Sequence, residues 1–364
     1  MEILRHMRSR LFLIGTLVLA ACAGGQRSVE PLRANAVAAV QWPVKTREHV
    51  DLWLHGFALI QDDTALVPLF ARGYRDAMTV IKNSRTVNSA LDSTRTALAS
   101  YVASNPAMLG AQFVPLYFAS WDEMVRAFSY FQNAQGDPRR TTNAEVRGVV
   151  AFLAQQFPSP DDRDFARRFM LALTSERERF HHAWWVEEQR VRAPALARAD
   201  SLWQARWRPA LQRYLNHTQQ ASGDLIPTIA LGGEGRAVPA GKNASQYAIA
   251  WPRTVDSAEV MLFAFAHEAI GNVAQVAVND HLTPVQQREG LGARYGSAGL
   301  VRGGALLVER IDPEMVQRYA RWYLALAGRP ATDNVMTAFA AAFPMPEDMI
   351  TSMRRQIDIA FGGI

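Results

Sequence analysis

The sequence predicts a mainly α-helical fold with one small sheet, and three observations predict it. From about Lys45 to Gln219, apolar residues recur at spacings of three and four, the period of a half-buried helix. Short β-like runs broken by glycine occur only between about Gly223 and Trp251. Helical spacing then returns at Asp256 and lasts to the C-terminus. The composition agrees: 364 residues, 49% hydrophobic and 20% charged, exclude a collagen, a coiled-coil rod or a wholly disordered chain. The length is enough for one large domain or two medium ones with a sizeable core.

The elements follow in order. Val50, Leu52, Trp53, Phe57 and Ile60 make a first stripe, Leu66 to Ile81 a second, and Val87, Leu91, Leu98 and Val102 a third. A long apolar helix is predicted over about 107–131, stopped by Gly136-Asp137-Pro138, and another over about 143–157, broken by Pro158-Ser159-Pro160. A long segment rich in Arg and Trp spans about 161–216. Leu225–Leu231 and Gln246–Trp251 are the predicted strands. Asp256 and Glu259 form a capping pair for a helix running to about Asp280. Further helices are predicted after Thr283-Pro284, over about 293–311, and from Asp312-Pro313 to Gly328, with two more closing the chain.

Lys plus Arg is 39 and Asp plus Glu is 34, a formal charge of +5. Three bases and one acid precede Cys22, which leaves 36 against 33, or +3, in the rest. That field is too weak to argue for a nucleic-acid partner. Only Lys45, Lys82 and Lys242 are lysines, a bias toward arginine across the whole chain rather than a phosphate-binding device. Cys22 is the one cysteine, so the chain has neither an internal disulfide nor a cysteine-built zinc site. Arg5, Arg8 and Arg10 precede an apolar run, Leu11 to Ala20, that is too short to span a bilayer. Leu19-Ala20-Ala21-Cys22 follows it and resembles the lipobox of bacterial lipoproteins.

That resemblance implies cleavage before Cys22, lipidation of its thiol and a membrane partner held through acyl chains. Ala23, not an aspartate, implies sorting to the outer membrane, facing the periplasm. The expected organisation is a signal peptide at 1–21, a lipidated tether at 22–43, a helical domain at 44–220, and an α+β domain at 221–364.

The sharpest chemical feature is His267-Glu268, mid-helix, after the apolar run Val260 to Ala266. It resembles the active-site helix of zincin metallopeptidases, in which a short sheet precedes the helix. In the Glu-zincin branch a later helix adds a glutamate ligand, and here Glu309 lies 42 residues after His267. A catalytic zinc takes three protein ligands and leaves a fourth position for water; the metal lowers that water's pKa to about 7, and a carboxylate takes its proton. The resemblance therefore implies a zincin-like C-terminal region, a zinc cofactor, a peptide substrate, His267 and Glu309 as ligands, and Glu268 as base. At i+4, where the common motif has its second histidine, stands Gly271. His267-Glu268-Ala269-Ile270-Gly271-Asn272 resembles instead the HExxGH motif of the dipeptidyl-peptidase III family, with Asn272 at the final ligand position. Tyr295 and Tyr319 are candidates for transition-state hydrogen bonds, with His281 a more remote one.

Weaker clusters complete the reading. Glu48, Asp51 and His55 fall on one helix face, and Glu178-x-x-His181 has the spacing of di-iron bundles without a second copy. Both read as solvated or ion-paired faces. Gly232-Gly233-Glu234-Gly235 lacks the Lys-Ser/Thr of a phosphate loop. The expected function is a membrane-anchored periplasmic lipoprotein with a metallopeptidase-like domain, active or catalytically degenerate. The alternative is a non-catalytic helical scaffold or binding lipoprotein of the envelope.

Overall fold

The computed structural model describes residues 42–330 and 333–362, so the signal peptide, Cys22 and nearly all of the tether lie outside the described residues. The chain is mainly helical with one three-stranded sheet. Its N-terminal part holds α1 (Glu48–Ile60), α2 (Tyr74–Ser84), α3 (Ala90–Ser104), a 3-10 segment (Pro106–Tyr117), α4 (Trp121–Asn133) and α5 (Ala144–Gln156). Several starts are set by polar caps. Ser89 and Asp92 exchange side-chain and backbone bonds at α3, and Ser159 and Asp162 do the same at α6 (Pro160–Glu176), where Pro160 occupies the first turn.

The predicted helix over 107–131 is two elements. Pro115 lies inside the first, and Phe118 takes an extended conformation before Ser120 caps α4. Proline removes one backbone donor and clashes with the preceding turn, so the regular α ladder is not held there. The predicted 161–216 segment is unbroken as a helical run: α6, α7 (His182–Leu202) and α8 (Arg208–His217), joined by π-helical turns at Arg177–His181 and Trp203–Trp207.

Strand β1 (Ser222–Thr228) lies parallel to β3 (Ala244–Ala250), and β2 (Arg236–Gly241) pairs antiparallel to β3 at the edge. The sequence reading missed β2, whose run Arg-Ala-Val-Pro-Ala-Gly is neither apolar nor cleanly alternating and carries a bulge at Pro239. From Leu225 and Gln246 onward, strands β1 and β3 are buried on both faces, which explains their continuous apolar runs. Ile226 and Ala248 point into one core, built from α1–α6; Leu225, Tyr247 and Ile249 point into the other, built from the C-terminal helices. The sheet is thus the layer shared by two cores. The boundary placed at residue 220 follows the chain rather than the packing: Trp42, Trp203, Trp207, Leu211 and Tyr214 all lie in the second core.

The C-terminal helices are α9 (Val260–Ala269), α10 (Gly271–His281), α11 (Pro284–Arg288), α12 (Leu291–Ile311), α13 (Val316–Leu326), α14 (Val335–Ala342) and α15 (Glu347–Ala360). The expected single helix over 256–280 is corrected in two ways. Thr254 and Ser257, not Asp256 and Glu259, form the capping box, while Glu259 pairs with Arg318. The run then bends by 41° between α9 and α10, at Ile270. No single helix among the described residues is long and apolar enough to cross a membrane.

Candidate functional site

The site begins with the register of α12 against α9. A Cβ at Gly303 would meet the Ile270 side chain, and one at Gly304 would meet the His267 Cα at 3.3 Å. Small residues let the two backbones approach, so glycine rather than a ligand side chain faces His267. Glu309 is five positions beyond Gly304, a rotation of about 140° around a helix of 3.6 residues per turn. Its side chain is 49% exposed and bonds Arg354 Nη1 at 3.0 Å. Asn272 lies beyond the bend and is exposed. His281 closes α10 and approaches Asp348 at 3.6 Å. Tyr295 is half-buried on the first turn of α12, about 13 Å along the axis from Gly304. Tyr319 is buried and donates to the Val301 carbonyl at 3.1 Å.

Of the residues singled out from the sequence, only His267 and Glu268 are thus bonded to each other. His267 is 1% exposed, and its Nδ1 lies 2.8 Å from Glu268 Oε1. The same oxygen accepts the Gly235 amide at 3.0 Å. Burial would push the Glu268 carboxyl up, but the bond and charge of His267, the Gly235 amide and Arg236 outweigh it and hold the group below its ordinary range. The other ring nitrogen of His267, Nε2, is buried with no hydrogen-bond partner. The ring stacks on Tyr323 at 5.5 Å and 16°, and Tyr323 donates its hydroxyl to the Gly233 carbonyl at 3.0 Å.

A zinc ion does not fit this donor set. Glu309 and Asn272 face solvent, and among the described residues no three His, Cys, Asp or Glu side chains could hold a metal ion. The ligand set expected from the zincin resemblance is therefore not assembled, because α12 turns its glycine face to His267.

The residues that do surround the pair are Gly233, Glu234, Gly235 and Tyr323. The glycine-rich loop was visible in the sequence, but its role was not. A Cβ at Gly235 would come within 3.2 Å of the Glu268 side chain and would collide with the Ala248 carbonyl. Glycine there lets the loop cross β3 and donate its amide to Glu268. Beside it, Glu234 is half-buried and lines a cleft of about 400 Å³. Burial, then the neighbouring charges of Glu268 and Asp63, raise its carboxyl above the ordinary range, against the pull of His267 and Arg236.

The two weaker sequence clusters meet in the first core, but with altered partners. Glu178 is exposed, because the π-helical turn rotates it away from buried His181. The acid in the core is Glu176, which accepts from His55 Nε2 at 3.0 Å and from Lys82 Nζ at 2.7 Å, and also pairs with Ser89. Lys82 bridges on to Asp92 at 2.7 Å. An ammonium thus satisfies the carboxylate. The His181 ring lies 5.1 Å from that of His55, tilted by 55°, and neither of its ring nitrogens has a partner; burial, then the His55 charge, hold it neutral. Asp51 and His55 are buried rather than solvated, whereas Glu48 is ion-paired to Arg177.

No protein-family model, curated protein or solved structure matches this chain.

Proposed function

We propose that this chain is a lipid-tethered protein of the bacterial cell envelope that works by binding rather than by zinc hydrolysis, and that its His267-Glu268 helix is a catalytically degenerate metallopeptidase-like element. The tether rests on the sequence Leu19-Ala20-Ala21-Cys22. The loss of hydrolysis rests on one observation: Glu309 sits on the face of α12 turned away from His267 and is occupied by Arg354. In this reading His267 and Glu268 brace the loop 232–235 against α9, and peptide hydrolysis is not performed.

Metal analysis of the mature lipoprotein, purified in detergent and dialysed, tests the second part. Well under 0.1 zinc per chain is expected, with no peptidase activity to lose in Glu268→Gln. About one zinc per chain, with peptidase activity abolished by Glu268→Gln, would overturn it. For the tether, Cys22→Ala is expected to abolish incorporation of labelled palmitate and release the protein from the membrane fraction.

A further inference from the structure

We infer that the cleft beside Glu234 binds a small organic carboxylate with a compact apolar body. The inference rests on the binding reading above and names its ligand class. The cleft lies between the loop 65–67, the glycine-rich loop, the first turns of α12 and the ends of α13 and α14. Its volume, about 400 Å³, falls in the range of small-molecule sites.

The cleft is held open by bonds of its own. Asp63 accepts the backbone amides of Ala65 at 3.1 Å and Leu69 at 2.6 Å, which fixes the shape of the loop. Arg72 donates to the Leu326 carbonyl at 2.9 Å and to the Leu66 carbonyl at 3.3 Å, tying that loop to the end of α13. A Cβ at Gly233 would strike both Leu326 and Val67, so the glycine-rich loop passes close against both walls.

The lining has two characters. Leu66, Val67, Ala298 and Phe343 supply an apolar wall. Arg294 and Ser297, one turn apart on α12, and Arg329, after α13, supply donors. No carboxylate among the described residues pairs with either arginine. A guanidinium matches a carboxylate with two parallel bonds, so a carboxylate on an apolar body satisfies both parts of the lining. Glu234, the one acid of the lining, makes no side-chain hydrogen bond among the described residues. Burial, then the neighbouring charges of Glu268 and Asp63, raise its carboxyl above the ordinary range, so it is the lining group least able to hold a full negative charge against a bound carboxylate.

The test is calorimetric titration of the mature lipoprotein in lipid nanodiscs, with empty discs subtracted, using 4-phenylbutyrate, 4-phenylbutanol and inorganic phosphate. Saturable binding of 4-phenylbutyrate at one site is expected, with the alcohol and phosphate each at least tenfold weaker. Arg294→Ala/Arg329→Ala should weaken 4-phenylbutyrate at least tenfold; both side chains are exposed, so an unchanged thermal transition separates lost binding from lost folding. Glu234→Gln, which removes the carboxylate charge and adds a donor, should bind as well or better. Four results would each overturn the inference: no saturable binding, equal binding of the alcohol, equal binding of phosphate, or full affinity in the double variant. A tenfold loss of 4-phenylbutyrate in Glu234→Gln would contradict the place given to Glu234 in the cleft, and would overturn the inference too. None of these outcomes alters the zinc or palmitate results, so failure here is distinguishable from failure of the binding reading.

Discussion

The Tyr319 hydroxyl occupies the space in which a side chain at residue 304 would begin: a Cβ built on Gly304 would overlap that oxygen and lie 3.0 Å from Tyr319 Cζ. With the His267 Cα 3.3 Å from the same Cβ, the glycine face of α12 is pressed against both α9 and α13, which fixes the face that meets His267. This packing predicts that Gly304→Ala is destabilising by about 1–3 kcal/mol, the range for overpacking a dense core. Denaturant unfolding checks it. Tyr319→Phe removes the obstructing oxygen and loses its bond to Val301, worth about 1 kcal/mol, so the double variant should be more stable than the sum of the two changes. Strict additivity would refute the steric account.

Glu309 and Arg354 make an exposed pair, 49% and 55% accessible. Such pairs contribute about 0–1 kcal/mol. Arg354→Ala and Glu309→Gln should therefore each shift stability by less than about 1 kcal/mol and leave the zinc content of dialysed protein unchanged. A fall in bound zinc on Glu309→Gln would restore this residue as a ligand.

Lys82 sits in the opposite regime. It is 4% exposed and meets Glu176, which is fully buried. Removing one partner of a buried pair leaves an uncompensated charge, so Lys82→Met is expected to destabilise by about 3–5 kcal/mol. Arg190→Met, which breaks the exposed pair with Glu187, should leave the urea midpoint nearly unchanged, because solvent screens such a pair. Urea midpoints at one pH compare the two directly, and similar losses would contradict the contrast.

Asp51 gives a pH signature. Burial pushes its carboxyl up to about 7, against the Trp185 and Ile229 donors and Arg192. The folded state therefore holds a proton that the unfolded state, near its ordinary 3.8, releases. This contribution is fully present below about pH 4 and is lost as pH rises through about 7, an effect on the order of 4 kcal/mol. His49, which burial lowers to about 4, has the opposite slope between about 4 and 6.5, so the informative quantity is the difference between wild type and Asp51→Asn. That difference should change steadily in favour of the variant from pH 4 to pH 7. A flat difference across the window would show that Asp51 titrates normally.

Much of the fold was legible in the sequence. The helices over about 143–157, after Thr283-Pro284, over about 293–311 and from Asp312-Pro313 to Gly328 were legible from their spacing and from the proline and glycine that bound them. Strands β1 and β3 were legible because burial on both faces leaves an uninterrupted apolar run. Strand β2 was not, since an edge strand with Pro239 and a bulge carries no such pattern. The break at Ile270 was not legible either: Gly271 was read as a missing ligand rather than as the start of a new helix.

The site divides along the same line. Sequence alone determined the Cys22 lipobox resemblance, the adjacency of His267 and Glu268, and the helix that carries them, because these depend on neighbours along the chain. It could place Glu309 in a later helix but not choose its face. That choice was made by Gly303, Gly304 and Tyr319, whose contacts set the rotation of α12 against α9. The tertiary structure alone brought Gly235 and Tyr323 to the pair, and Arg294 and Arg329 to the Glu234 cleft, because helix rotation and loop approach are decided by packing between distant segments, which local spacing does not encode.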